Sequence, residues 1–235
     1  MAKKPFKEEF KTFKNVFDVF TEKNLFKLVS QGFFDRLVSP LSIGKESNVF
    51  IAQKGDEFRV VKIYRLSTCD FNRMFDYLKF DPRYAGLKNK RRKVVFAWAH
   101  REYRNLLKAR DAGVRVPTPF AVLFNILVME FVGSDVPAPR VIKAVPVEPR
   151  AFALDVIVQM KKLFKAGLVH ADLSGFNILN YDDKPVFIDF SQATPLNNPR
   201  AGEFLDRDIK NVCSLFKKWG LNFSQEFVKK RVVGK

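Results

Sequence analysis

The first regularity along the chain is aromatic. Phe6, Phe10, Phe13, Phe17 and Phe20 recur at alternating steps of four and three, which is one face of a helix, with Lys7, Lys11 and Lys14 spread around the rest. The pattern predicts a helix that docks through its Phe stripe, while Glu8, Glu9 and Asp18 on its polar side argue against an anionic membrane surface. A second helix is expected from about Thr21 to Gln31, capped by Thr21 and stopped by Gly32. Residues 1–36 therefore read as a helical extension.

From Leu37 the period changes to that of strands. Residues 37–43, 48–52 and 57–64 are three expected strands, the last two joined by a turn at Lys54-Gly55-Asp56. Residues 66–94 are polar, aromatic and basic, with Asp81-Pro82-Arg83 and Lys88-Asn89-Lys90-Arg91-Arg92-Lys93, and read as a mobile loop suited to phosphate contact and base stacking. Its Ser67 and Thr68 are available as hydroxyl phosphoacceptors. A helix is expected over 94–112, ended by Gly113, with Trp98, Glu102, Leu106 and Ala109 on one stripe. Two more strands follow at 120–123 and 126–133, then an irregular Pro-rich stretch to Val147. Glu148-Pro149-Arg150 opens a helix that stops at Ala166-Gly167, and a last helix is expected to start at Asp206-Arg207-Asp208. The domain reading is 1–36 as the extension, 37–129 as a strand-rich lobe carrying the basic loop at about 67–93, and 130–235 as a hinge and a small helical lobe.

Composition narrows the class. With 235 residues, 47% hydrophobic and 29% charged, the chain suits a globular protein with one sizeable core or two small ones. A net charge of +17, from 42 Lys+Arg against 25 Asp+Glu, points to a polyanionic partner, nucleic acid before membrane, although Lys-rich surfaces also accompany life at high temperature. Cys69 and Cys213 are too few for a disulfide framework or a zinc site, so reduced thiols and a cytoplasmic location are expected. No apolar run approaches membrane-spanning length.

The chemistry sits in residues 169–179, Val-His-Ala-Asp-Leu-Ser-Gly-Phe-Asn-Ile-Leu, answered by Phe187-Ile188-Asp189-Phe190. An Asp followed five residues later by Asn, then two apolar runs and another Asp, is a phosphoryl-transfer arrangement. Asp172 can take the proton of an attacking hydroxyl, and Asn177 and Asp189 can supply hard oxygens to Mg²⁺. Lys62, in the apolar run Val60-Val61-Lys62-Ile63, has the form of the strand lysine that pairs with phosphates, and its burial demands a counter-charge, for which Glu102 is the candidate. Ser42-Ile43-Gly44-Lys45-Glu46-Ser47-Asn48-Val49 is a degenerate Gly-rich loop: Gly44 and Val49 keep their places and Ser42 and Ser47 replace the outer glycines. At the end of the 126–133 strand an adenine ring would meet the backbone of Glu130 and Val132, with Met129 behind it.

Taken together, the loop over 42–50, the stretch 128–133, His170-Ala171-Asp172-Leu173-Ser174-Gly175-Phe176-Asn177 and Ile188-Asp189-Phe190-Ser191-Gln192 resemble the RIO family of atypical serine/threonine kinases, its first group above all. The resemblance implies an α+β, two-lobed protein-kinase-like fold with a reduced C-lobe and an N-terminal helical extension. It implies ATP and Mg²⁺, with Mn²⁺ able to replace the latter, and a role in maturation of the small ribosomal subunit, with its rRNA and an unnamed protein substrate as partners. Carried over, Ser42, Gly44, Lys45, Ser47, Val49 and Lys62 would surround the phosphates, Glu102 would pair with Lys62, and Asp172 would be the base. Asn177 and Asp189 would be metal ligands, Asp189 also accepting phosphate as an aspartyl-phosphate. Gly175 stands where Glu is expected and Phe190 where Val is common. Two other readings use the same residues: a small-molecule phosphotransferase of the aminoglycoside or choline type, and an RNA-binding scaffold that only senses nucleotide.

Overall fold

The structure, a computed structural model, describes residues 17–81, 84, 86–87 and 90–234. The Phe-stripe helix as far as position 16 and the pairs Pro82-Arg83 and Lys88-Asn89 of the basic stretch lie outside the described residues. The chain divides into two compact units, one running to Tyr103 and taking in Pro119–Phe131, the other formed by Arg104–Thr118 and the chain from Val132 on.

The first unit opens with α1 (Val19–Ser30). Its cap is Asp18, not Thr21: the Asp18 carboxylate accepts the Thr21 N–H at 3.0 Å and the Thr21 hydroxyl at 2.8 Å. The Thr21 oxygen is needed elsewhere, accepting the Asn125 amide at 3.0 Å. Gly32 follows with φ +79°, the left-handed conformation in which a β-carbon would clash with the backbone.

Strands β1 (Arg36–Ile43), β2 (Ser47–Lys54), β3 (Glu57–Tyr64), β4 (Pro119–Leu123) and β5 (Ile126–Glu130) form one sheet in the order β1-β2-β3-β5-β4, every neighbouring pair antiparallel. The strand period decides which residues meet. On β3, Val61 and Ile63 point into the core formed with Leu25, Leu28, Phe34, Phe50 and Ala52, so Lys62 and Tyr64 are carried on the opposite face. Asn125, fully buried in the β4–β5 turn, ties the end of β3 by donating to the Tyr64 carbonyl at 2.8 Å and accepting the Tyr64 N–H at 2.9 Å.

The basic stretch, read from sequence as a loop throughout, contains α2 (Phe71–Leu78). Asp70 caps it by accepting the Arg73 N–H at 3.0 Å, and Met74, Tyr77 and Leu78 bury the one stripe that made it a helix. Helix α3 (Arg91–Asp111) starts three residues before expectation, so the end of the basic run is its first turn; Arg92 there stacks 4.8 Å over the ring of Phe20.

The second unit contains α4 (Pro149–Lys165), β6 (Leu168–Val169), β7 (Ile178–Tyr181), β8 (Lys184–Phe187), β9 (Thr194–Pro195), α5 (Ala201–Lys218) and α6 (Gln225–Val233). β6 pairs with β9, and β7 with β8 as a hairpin. Helix α5 begins at Ala201 rather than at Asp206, because the stripe of Ile209 and Val212 extends backwards through Leu205, Phe204 and Ala201, all buried. Among the described residues no helix is long and apolar enough to cross a membrane.

Candidate active site

In the first unit the sheet and α3 bring together Lys62 and Glu102. Lys62 Nζ donates to Glu102 Oε1 at 2.8 Å, with side chains 8% and 1% exposed. A charge pair this dry holds only if its hydrogen bonds are complete, and the Tyr64 hydroxyl donates to Glu102 Oε2. The stripe Trp98, Glu102, Leu106 and Ala109 is buried along its length.

The Gly-rich loop is the β1–β2 turn. Ser42 faces Val49 across the ladder, and Val49 in turn faces Lys62 on β3. Gly44 donates its N–H to the Ser47 carbonyl at 3.0 Å, and a β-carbon at Gly44 would meet that oxygen at 3.0 Å, so a larger residue would press on the turn's own backbone. The loop's outer carbonyls are held by residues just past β3: Arg65 donates to Gly44 and through its N–H to Glu46, the Thr68 hydroxyl donates to Lys45 at 2.9 Å, and the Cys69 thiol donates to Glu46 at 3.1 Å. Thr68, read from sequence as a phosphoacceptor, is thus engaged with the loop backbone. Burial pushes the Cys69 thiol up to about 12, which leaves it a packing and hydrogen-bonding group rather than a nucleophile. Of the expected adenine-edge residues, Met129 is buried on β5, Glu130 ends that strand, and Val132 belongs to the second unit.

In the second unit the β7–β8 hairpin places the other predicted residues. Asn177 precedes β7 and Asp189 follows β8, and Ile188 donates its N–H to the Asn177 carbonyl at 3.0 Å, which continues the ladder by one step. The Asn177 amide nitrogen donates to the Asp172 carbonyl at 2.8 Å and to Asp172 Oδ2 at 3.3 Å. Gln192 Nε2 donates to the same Oδ2 at 3.2 Å, and Ser191 Oγ donates to Asp189 Oδ1 at 2.8 Å. Two amides therefore orient the Asp172 carboxylate, and a hydroxyl orients that of Asp189. Asp189 is held at φ +63° and Ala171 at φ +67°, a conformation that costs a side-chain-bearing residue of order 1 kcal/mol and that surrounding bonds must enforce.

The bonds that hold Ala171 come from a residue that sequence reasoning missed. Asp208 on α5, 1% exposed, accepts the Ala171 N–H at 2.8 Å through Oδ2 and the Leu173 N–H at 2.9 Å through Oδ1, while Arg207 donates to the Ala171 carbonyl. Burial pushes the Asp208 carboxyl up to about 7, against the pull of the two N–H groups and Arg207 and with a further push from Asp172. An Asp within the apolar stripe Leu205, Ile209, Val212 was the available signal. Asn105, which donates to the Phe190 and Ala193 carbonyls at 3.0 and 2.8 Å, and Asn211, which donates to Leu173 at 3.1 Å, complete the frame.

Gly175, where the family pattern suggested Glu, lies against α5: a β-carbon there would meet Leu215 Cδ1 at 3.0 Å and Ile142 Cβ at 3.4 Å. Gly175→Ala is expected to cost about 1 kcal/mol through this overpacking, read as a lower denaturation midpoint with an unchanged slope.

The donor set fits Mg²⁺ rather than a metal that needs an all-protein cage. Among the described residues no three His, Cys, Asp or Glu gather as a metal site. Mg²⁺ asks only for one or two protein oxygens beside substrate phosphates. With the Asn177 nitrogen committed to Asp172, the amide oxygen is the ligand atom it can offer, and the Asp189 carboxylate is the other candidate donor.

Residues 48–229 match the RIO domain family. The chain is 42% identical over 229 residues to the RIO-type serine/threonine-protein kinase Rio1 of Haloferax volcanii, covering 97% of this chain and 79% of that one. It is 38% identical over 232 residues to the protein of the same name from Methanocaldococcus jannaschii, covering 98% and 80%. Among solved structures it is similar to the Rio2 kinase–ADP/Mg²⁺–phosphoaspartate complex from Chaetomium thermophilum, with TM-score 0.67 and 24% identity, and to the Rio2 kinase of that organism, with TM-score 0.69 and 24% identity. Those alignments cover 90% and 88% of this chain but 65% and 66% of theirs, and they show the protein-kinase-like α+β fold. The extent and identity of these matches establish that the chain belongs to the RIO family of atypical serine/threonine protein kinases.

Proposed function

We propose that this kinase transfers the γ-phosphoryl group of ATP by way of Asp189, and that it acts in the cytoplasm on precursors of the small ribosomal subunit. In the first step an Asp189 carboxylate oxygen bonds to the γ-phosphorus, the bond from that phosphorus to the β–γ bridging oxygen breaks, and ADP leaves. In the second, a serine or threonine hydroxyl, or water, attacks the acyl phosphate; its proton passes to Asp172 and the Asp189 carboxylate is regenerated. Lys62, paired with Glu102, would hold the α- and β-phosphates beneath the loop of Ser42, Gly44, Lys45, Ser47 and Val49. Mg²⁺, held by Asn177 and Asp189, or Mn²⁺ in its place, would neutralise charge on the phosphates.

The observation that carries the reading is the paired orientation of the two carboxylates by one short segment: Ser191 on Asp189 and Gln192 on Asp172. A nucleophile and a base that must act in turn are both fixed by residues 189–192. The phosphoaspartate in the Chaetomium Rio2 complex supports the covalent step by analogy, and the +17 charge supports a ribosomal RNA partner.

Incubation with γ-labelled ATP, Mg²⁺ and small-subunit precursor particles tests it. The expected result is a hydroxylamine-labile label on the wild-type chain that is absent from Asp189→Asn. An acid-stable Ser/Thr label alone, formed equally by both proteins, would overturn the aspartyl step.

A further inference from the structure

The Lys62–Glu102 pair leaves one group unexplained. Tyr64 is 2% exposed, and its hydroxyl donates to Glu102 Oε2. It sits two residues beyond Lys62 on β3, so the strand period puts both on one face. Both then reach the same carboxylate, Lys62 at Oε1 and Tyr64 at Oε2, and the Lys62 ammonium lies 5.1 Å over the Tyr64 ring.

We propose that Tyr64 is a positioning residue for Lys62. A carboxylate bonded at one oxygen can rotate about its last torsion and carry its lysine with it. Bonded at both oxygens to two side chains of one strand, it has a single orientation, and α3 cannot draw Glu102 away without breaking two buried bonds at once. The frame behind Tyr64 is itself rigid, since its N–H and carbonyl are both bonded to the buried Asn125. The lysine is thereby set for phosphate before any nucleotide arrives, and the clamp lowers the ordering cost of binding. Simple core packing of a tyrosine with a satisfied hydroxyl makes a different prediction, because it would affect stability and not the nucleotide.

The inference rests on the reading that Lys62 holds ATP phosphates, and the experiment separates the two. Tyr64→Phe keeps the ring, its packing and its contact with the ammonium, and removes only the hydroxyl. ATP affinity by calorimetry, KM and kcat would be measured for wild type, Tyr64→Phe, Glu102→Gln and the double variant, with thermal unfolding of each. Tyr64→Phe is expected to weaken ATP binding and raise KM about tenfold, with kcat within about twofold, the pattern of lost ground-state binding. In the Glu102→Gln background the same change is expected to alter affinity less than twofold, because the one oxygen left at position 102 goes to the Lys62 ammonium and the phenol then only accepts from a neutral NH₂, with no carboxylate to hold in place. Unchanged ATP affinity in Tyr64→Phe, or an equal loss in both backgrounds, overturns the clamp even if the melting temperature falls. A wild-type chain that binds no ATP overturns the reading of Lys62 and the clamp with it.

Discussion

Asp172→Asn is expected to lower turnover with a hydroxyl acceptor by about 10²- to 10⁴-fold while leaving KM for ATP within a few-fold of wild type. The amide has the size of the carboxylate, so the loop keeps its shape. The difference lies in the atoms presented. Asn177 and Gln192 both donate to Oδ2, so the variant's amide oxygen is drawn to that position and its NH₂ occupies the other. An acceptor hydroxyl then meets a donor where it needs an acceptor for its proton. The two-step reading adds a second signature. Attack of Asp189 on ATP transfers no hydroxyl proton, whereas discharge of the acyl phosphate does. Asp172→Asn should therefore still take up label from ATP and release it slowly, so that hydroxylamine-labile label accumulates above the wild-type level. Steady-state turnover and a label time course check both parts, and unchanged turnover would remove Asp172 from the role of base.

Much of this could be read from the chain, and the reason is local. β3 announced itself as an apolar run with one lysine in it, and the β2–β3 turn as Lys54-Gly55-Asp56, of which Lys54 proves to end β2. The side chains of the site stand in short motifs, where the chemistry itself sets the spacing. What escaped was support from far along the sequence. Asp208 reaches back over 35 and 37 residues to Leu173 and Ala171, and Asn125 over 104 to Thr21. Asp18 rather than Thr21 is the cap because the helix begins two residues earlier than expected, at Val19. Helix α2 was hidden because eight residues with one narrow apolar stripe look like a polar loop until Asp70 is seen to cap them. The start of α5 was misplaced for the opposite reason: the acidic pair Asp206 and Asp208 resembles a helix start, yet Asp208 points inward and the stripe begins earlier.

That inward carboxylate supports a prediction with opposite pH trends in stability and turnover. The Asp208 pKa is raised by burial to about 7 from an ordinary 3.8, so between these values the folded chain holds a proton that the unfolded chain has released. Stability then falls as pH rises through this window, since the native state binds the more protons. The contribution is complete below about pH 4 and is lost as pH passes 7, and a rise of this size corresponds to a few kcal/mol. Turnover should run the other way. Each Asp208 oxygen accepts one loop N–H, and a protonated carboxyl offers a poor acceptor at one of them, so Ala171 is least firmly held at φ +67° when Asp208 is neutral. Raising pH through 7 is expected to raise kcat while lowering the melting temperature. Asp208→Asn removes the titration, and both trends across pH 6–8 should flatten, with kcat about 10²-fold down because one N–H then faces the variant's NH₂. Asp208→Ala, which leaves two buried N–H groups unsatisfied at about 1–3 kcal/mol each, should unfold at a markedly lower temperature at every pH. A difference in melting temperature between wild type and Asp208→Asn that stays constant from pH 4 to 8 would show that Asp208 does not titrate in this window, and the opposed trends would have to come from another group.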